Sequence, residues 1–138
     1  MAEITGDSYN TSQQAGEYGN ACTAIFTKTL AAGQIGDIVK YGVIPGSAKI
    51  TCVTLINAAL GASSTQSLGV RYVKASEGST AATQFFTTQA TSSAGRNESA
   101  AGVYTVATGR GVEIIGTLAG AAATGLVTVL VDYVYVGQ

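Results

Sequence analysis

From residue 21 onward, apolar and polar side chains alternate with a period of two, and glycines interrupt the alternation. Thr23–Leu30 is one such run. Gln34–Val43 is a second, entered through Gly33 and Gly36 and followed by the turn dipeptide Pro45-Gly46. Ala48–Asn57 alternates along its whole length, with Ile50, Cys52, Thr54 and Ile56 on one face and Lys49, Thr51, Val53, Leu55 and Asn57 on the other. Apolar content on both faces predicts a central strand. Ser67–Lys74 turns Leu68, Val70 and Tyr72 one way. Ala81–Phe86 fits a strand or a short helix, and Ala90–Ala101 reads as a mobile loop. Gly102–Ala107 and Val112–Leu118 read as short strands separated by a tight turn, Thr108-Gly-Arg-Gly111. Beyond a Gly/Ala turn, Leu126–Val136 is the longest strand. Val127, Val129, Val131, Tyr133 and Tyr135 share one of its faces, and Leu126, Thr128, Leu130, Asp132, Val134 and Val136 share the other. No stretch repeats at the helical i, i+3, i+4 spacing. The expected class is all-β, an antiparallel sandwich or barrel of about eight strands.

Residues 1–20 differ in texture. They are polar and aperiodic, with too little apolar area to order themselves, and are expected to form an extended N-terminal arm ahead of a β-domain over 21–138. Such an arm is either a loose tail or a segment that orders on a partner, with Ile4, Tyr9 and Tyr18 as its apolar anchors. No basic or apolar leader pattern opens the chain, so no signal peptide is expected. Ile114–Val131 is uncharged and long enough to invite a membrane span. Its centre, however, is Ala and Gly, which gain little on leaving water, and no cation follows Arg110. Two strands and a turn account for it better, and no membrane partner is expected.

Composition removes most chemistry. Ala, Gly, Ser and Thr make up half of the 138 residues, and charged residues only 11%, against about 25% in an ordinary domain. There is no histidine, so Ser-His-Asp, Cys-His and histidine–metal sites are unavailable. Cys22 and Cys52 lack metal-ligand spacing; they stay as two thiols, or pair if their strands adjoin. Gly120-Ala-Ala-Ala-Thr-Gly125 has the glycine spacing of a phosphate loop, but Leu126-Val127 stand where Lys-Ser/Thr must follow. Among the eight carboxylates only Glu113 and Asp132, on strands read as adjacent, approach a pairing, and solvated rim positions explain them more simply. Arg71 and Lys74 around Tyr72, with Phe85-Phe86, make too small a basic–aromatic patch for nucleic acid, and the net charge is −1. Neither an enzyme nor a cofactor or metal is expected. The same scarcity leaves strand edges without the Lys and Pro that usually guard them, so another subunit is expected to cover them.

Gly33-Gln-Ile-Gly-Asp-Ile-Val-Lys-Tyr-Gly-Val-Ile-Pro-Gly-Ser-Ala-Lys-Ile-Thr-Cys-Val-Thr-Leu-Ile-Asn-Ala-Ala-Leu-Gly-Ala62, with its Gly-Asp strand, apolar-Pro turn, second strand and small-residue loop, resembles small structural proteins of tailed bacteriophages. Leu126-Val-Thr-Val-Leu-Val-Asp-Tyr-Val-Tyr-Val136 looks like their closing strand. The likeness, over about residues 22–136, is to the capsid decoration or cement proteins of short-tailed phages. It implies a jelly-roll-like sandwich bound in many copies to the outside of an icosahedral head, made in the bacterial host cytoplasm. The implied partners are the major capsid protein and a second copy, in a homodimer. It carries over no catalytic residues. On this reading the capsid-contact candidates are Ile4, Tyr9 and Tyr18 of the arm, then the loops 57–66 and 90–101 with Leu60 and Arg96. Tyr133 and Tyr135 are candidates for the self-interface, with core packing as their simpler role. A tail- or fibre-associated module that binds a host glycan is the alternative.

Overall fold

The computed structural model describes residues 3–7 and 21–135. Its strands are β1 (Glu3–Thr5), β2 (Ala21–Gly33), β3 (Ile38–Ile44), β4 (Ala48–Asn57), β5 (Thr65–Tyr72), β6 (Ala81–Ala90), β7 (Gly95–Glu98), β8 (Tyr104–Thr105), β9 (Val112–Ala119) and β10 (Ala123–Tyr135). One 3-10 turn spans Ala75–Glu77. The first sheet has the order β1-β3-β9-β5-β6. The second has β2-β10-β4-β7, with β8 also on β4. Setting aside β1 and β8, the pairs β2·β10, β3·β9, β4·β7 and β5·β6 are nested and antiparallel. That is one long hairpin, bent at the β5–β6 connection and rolled so that successive pairs fall alternately on the two sheets. The result is the expected jelly roll, an eight-stranded sandwich of two sheets.

The alternating runs set which side of each strand meets the core. Phe26 and Leu30 of β2, Tyr41 of β3, Ile50, Val53 and Leu55 of β4, Leu68 and Val70 of β5, Ile114 and Leu118 of β9, and Val127, Val129 and Val131 of β10 fill the space between the sheets. Two bulges shape this packing. On β3 the register with β9 slips between Lys40 and Gly42, and the Phe26 ring lies over Gly42, where an added Cβ would sit 2.3 Å from Cε1. On β4 the ladder pairs Asp132 with Cys52 but Tyr133 with Ile50, leaving Thr51 unopposed. Ile50 faces inward below that bulge, and Val53 and Leu55 face inward above it. The two apolar faces of Ala48–Asn57 are therefore one core face interrupted by a phase shift.

Several sequence expectations change here. Glu3–Thr5 pairs in parallel with β3, Ile4 opposite Val39, so this part of the expected arm belongs to the first sheet. Tyr9 and Tyr18 lie outside the described residues. The stretch read as a mobile loop over 90–101 contains β7, and Ala81–Phe86 opens strand β6 rather than a helix. Thr108–Gly111 carries the chain from the second sheet to the first instead of closing a hairpin. In the Pro45-Gly46 turn it is Ser47 that takes φ of 64°. Gly46 is needed for a different reason: a Cβ there would stand 2.4 Å from the Gly109 carbonyl oxygen.

Candidate functional site

Among the described residues no group of His, Cys, Asp or Glu is placed to hold a metal ion, and no helix is long and apolar enough to cross a membrane. Glu113 and Asp132 do not meet. Glu113 is on β9 and accepts hydrogen bonds from Arg71, whereas Asp132 is on β10 of the other sheet and accepts one from the Thr23 hydroxyl at 2.7 Å. Cys22 and Cys52 are not joined in a disulfide. Cys22 packs towards the core from β2, and Cys52 sits on β4, with β10 between them. The resolved shifts in acidity take groups away from reactivity near pH 7. Burial pushes the Tyr41 and Tyr104 hydroxyls well above the usual phenol range, Tyr104 with help from Tyr72. Burial, then the neighbouring Cys22, raises Tyr133. What the molecule presents is surface, and three regions of it differ.

The outer face of the first sheet is an ion-pair network. Arg71 Nη2 lies 2.7 Å from Glu113 Oε2 and 3.2 Å from Glu3 Oε1, and Lys40 Nζ lies 3.5 Å from Glu3 Oε1. The hydrogen bond and positive charge of Arg71, aided by Lys40, hold the Glu3 carboxyl below the usual carboxylate range. Gly6 N–H donates to Lys40 O, Asp7 N–H donates to Thr27 O, and Lys28 pairs with Asp7 at 3.5 Å. The N-terminal strand is thus tied to both sheets. Ile115 also points to this outer side, yet it is buried between Lys40 and Gly69, with the Ala81–Ala82 backbone folded over Gly69.

The outer face of the second sheet has a different make-up. Across β2, β10, β4 and β7 its rows read Thr23, Asp132, Cys52; then Ile25, Leu130, Thr54, Glu98; then Thr27, Thr128, Ile56, Arg96; then Thr29, Leu126. Ile25 is 59% exposed and Leu126 49%. Sequence reasoning assigned Leu126, Thr128 and Leu130 to the face opposite the valines but drew no surface from them. The signal was there: the last strand is apolar on both faces, and one of them is outside.

The third region is the end of the sandwich where the 58–64, 91–94 and 120–122 connections gather. Asn57 Nδ2 donates to Ala58 O at 2.8 Å and to Ser93 O at 2.9 Å. Leu60 N–H donates to Thr91 O, Thr91 N–H to Ser64 O, and Thr124 N–H to Leu60 O. The Ser64 and Thr91 hydroxyls are 2.9 Å apart. These bonds fasten the loops to one another and turn small uncharged side chains, such as Ala59, Ala62 and Ser92, to the outside.

The named candidates fall as follows. Leu60 is 3% exposed and anchors the loop end from beneath, so its side chain offers no contact surface. Tyr133 is 2% exposed, in the core, and Tyr135 is half-buried. Ile4 is half-buried against the core. Arg96 is exposed, on the outer face of the second sheet rather than in a loop.

No protein family matches the sequence, and no curated protein is similar enough to match it. Solved structures do match. A chain in the capsid of Ralstonia phage GP4 superposes with a TM-score of 0.75 at 19% identity, over 99% of both chains. A chain in the capsid asymmetric unit of cyanophage Pam1 gives 0.64 at 22% identity, over 93% of this chain and 94% of that one. A chain in the acid-stable capsid of Helicobacter pylori bacteriophage KHP30 gives 0.59 at 19% identity, over 88% and 92%. The chain therefore has, over nearly its whole length, the fold of chains found in phage capsids.

Proposed function

We propose that this chain is a non-enzymatic phage capsid decoration protein. It binds the outside of an icosahedral head in many copies, as a homodimer, and stabilises the shell by bridging capsid subunits. The observation that carries the reading is the end-to-end likeness to a chain in the GP4 capsid, with 99% of each chain matched. The surface suits the role. The hydrogen-bonded loop end offers an uncharged foot that loses little side-chain entropy on docking, because alanine, serine and glycine have little to lose. The N-terminal segment that follows β1, through Tyr9 and Tyr18, is a second point of attachment. Each foot alone is weak. Two feet on one particle raise the effective concentration of the second contact, so that separating capsid subunits also breaks cement contacts.

The test uses heads purified without the protein. Added back, it should bind in many copies per particle and raise the temperature at which the heads rupture. Binding should change little with salt, since few charges are available to screen. No binding, or binding without a shift in rupture temperature, overturns the reading. A few copies confined to one vertex, together with a glycan ligand, would place the protein on the tail instead.

A further inference from the structure

We propose that the outer face of the second sheet is where two copies of this chain pair back to back. Ile25, Leu126, Leu130 and Ile56 lie at the centre of the contact. The inference rests on the homodimer of the proposed function and supplies its interface; it does not depend on what the dimer binds.

The register makes these four residues neighbours. Leu130 lies beside Ile25 on β2, and Thr128 lies between Thr27 and Ile56. Leu126, two residues along β10 from Thr128, completes the patch. Thr27, Thr29, Thr54 and Thr128 continue it with their methyl groups, and Asp132, Cys52, Arg96 and Glu98 complete the face. A monomer that kept this face in water would leave Ile25 59% and Leu126 49% exposed, beside a first sheet that hides its own outward isoleucine. Contiguous apolar surface of this kind marks a place that another protein covers.

Size and charge say which protein. Three strands at about 4.8 Å spacing over about nine residues at about 3.4 Å each, with the four residues of β7 beside them, give a face of roughly 500 Å². Two such faces bury about 1,000 Å², before the corrugation of the side chains is counted. That is enough for a specific dimer. The charges on the face and its margin are Lys49, Asp132, Arg96 and Glu98, and they cancel. Asp132 is already bonded by Thr23. Arg96 and Glu98 stand two residues apart on β7 and point the same way, so a two-fold axis can set each against its opposite in the other copy. A partner of one dominant sign would find no complement here. A second copy brings the same neutral mixture and no repulsion. Sheets packed face to face at about 10 Å are the ordinary geometry for such surfaces.

The test is the mass of the isolated full chain by sedimentation equilibrium, for wild type, for a double variant Ile25→Glu/Leu126→Glu, and for Val73→Glu. The third is a control at an exposed apolar position just beyond β5, in the connection that joins β5 to β6 within the first sheet. Wild type and the control should be dimers at micromolar concentration. The double variant should associate at least about 100-fold more weakly, since it sets four carboxylates in one dry contact. Its circular dichroism and melting should stay those of a folded chain, because both sites are exposed. Cys52 lies on the same face, so its thiol should react more slowly with a maleimide in wild type than in the double variant. A wild-type monomer, or a double variant that dimerises like wild type, overturns the proposal. If wild type is monomeric and the double variant fails to bind heads, the face belongs to the capsid, and the proposal is again overturned. Dimers that dissociate as expected while wild type binds no head leave this interface standing and overturn decoration. A monomer that decorates heads does the reverse.

Discussion

The two outer faces of this sandwich solve the same problem in opposite ways. Both are backed by one core, and both must end the protein against something other than more core. The first sheet ends itself: Arg71 bridges Glu113 and Glu3, Lys40 joins them, and Ile115 is hidden under its own neighbours. The second sheet ends in threonine, Ile25 and Leu126, with Arg96 and Glu98 on its short outer strand and Asp132 bonded to Thr23. A chain with 11% charged residues has few to distribute, and on the first face it joins four of them in one ion-pair network. The difference separates self-sufficiency from dependence. Substitutions on the first face should act on the stability of the single chain, and those on the second on what the chain associates with.

The largest expected effect removes what the faces share. Phe26 is fully buried and fills the space over the Gly42 bulge. Phe26→Ala should cost about 3–5 kcal/mol and lower the melting temperature by well over ten degrees, abolishing association with it. If the variant still dimerised with wild-type strength, the second face would not depend on the core that shapes it.

A middle-sized effect should be confined to the first face. Arg71→Ala removes the guanidinium that bonds Glu113, which is 8% exposed, and bridges it to Glu3. It should cost about 1–2 kcal/mol in thermal or urea melts and leave the dimer mass unchanged. The same network has a pH signature. Glu3 is held below its ordinary value of 4.5 by Arg71 and then Lys40. What its carboxylate adds to the hold on β1 is therefore complete above pH 4.5 and fades as the pH falls through the lowered value. Protection from hydrogen exchange at Gly6 and Asp7, whose amides bond Lys40 and Thr27, taken relative to the intrinsic exchange rate at each pH, should fall over that range in wild type. In Arg71→Ala the loss of protection should begin at a higher pH. A profile identical in the two proteins would mean that Arg71 does not hold the strand.

Much of this division is legible in the residues alone, and the reason is periodicity. On β10, alternation alone separated Val127, Val129 and Val131 from Leu126, Thr128 and Leu130, because a strand without a bulge keeps its phase. On β4 the same reading failed at Thr51, where one extra residue exchanges inside for outside. Nothing in the sequence marks that bulge, since Thr51 and Cys52 are of similar size and polarity. β7 was illegible for another reason. Gly95-Arg-Asn-Glu98 has no strand character of its own, and it pairs because β4 offers it an edge and Asn57 holds the preceding Ser93. β1 has three residues, too few for a pattern, and is held by charges on other strands. Leu60 stood out as the one large apolar residue in a small-residue loop. Its role as the buried peg of that loop follows from bonds to Thr91 and Thr124, residues far from it in sequence. Local pattern is readable in the chain. Long-range pairing is readable only where it repeats the local pattern.

The smallest effect on stability is the most informative about the comparison. Replace Ile25 and Leu126 by threonine, the residue that already surrounds them. Threonine suits a strand as well as isoleucine does, and neither site touches the core, so the monomer should change by no more than about 0.5 kcal/mol. Were the second face ordinary surface, nothing else would change. If it is an interface, wild type should show a melting temperature that rises with protein concentration, because the folded dimer is favoured by mass action, and the double threonine variant should lose that dependence. The two proteins would then melt together when dilute and apart when concentrated. A difference between them that did not vary with concentration would assign the two side chains to the fold rather than to a partner, and the second face would be no less self-sufficient than the first.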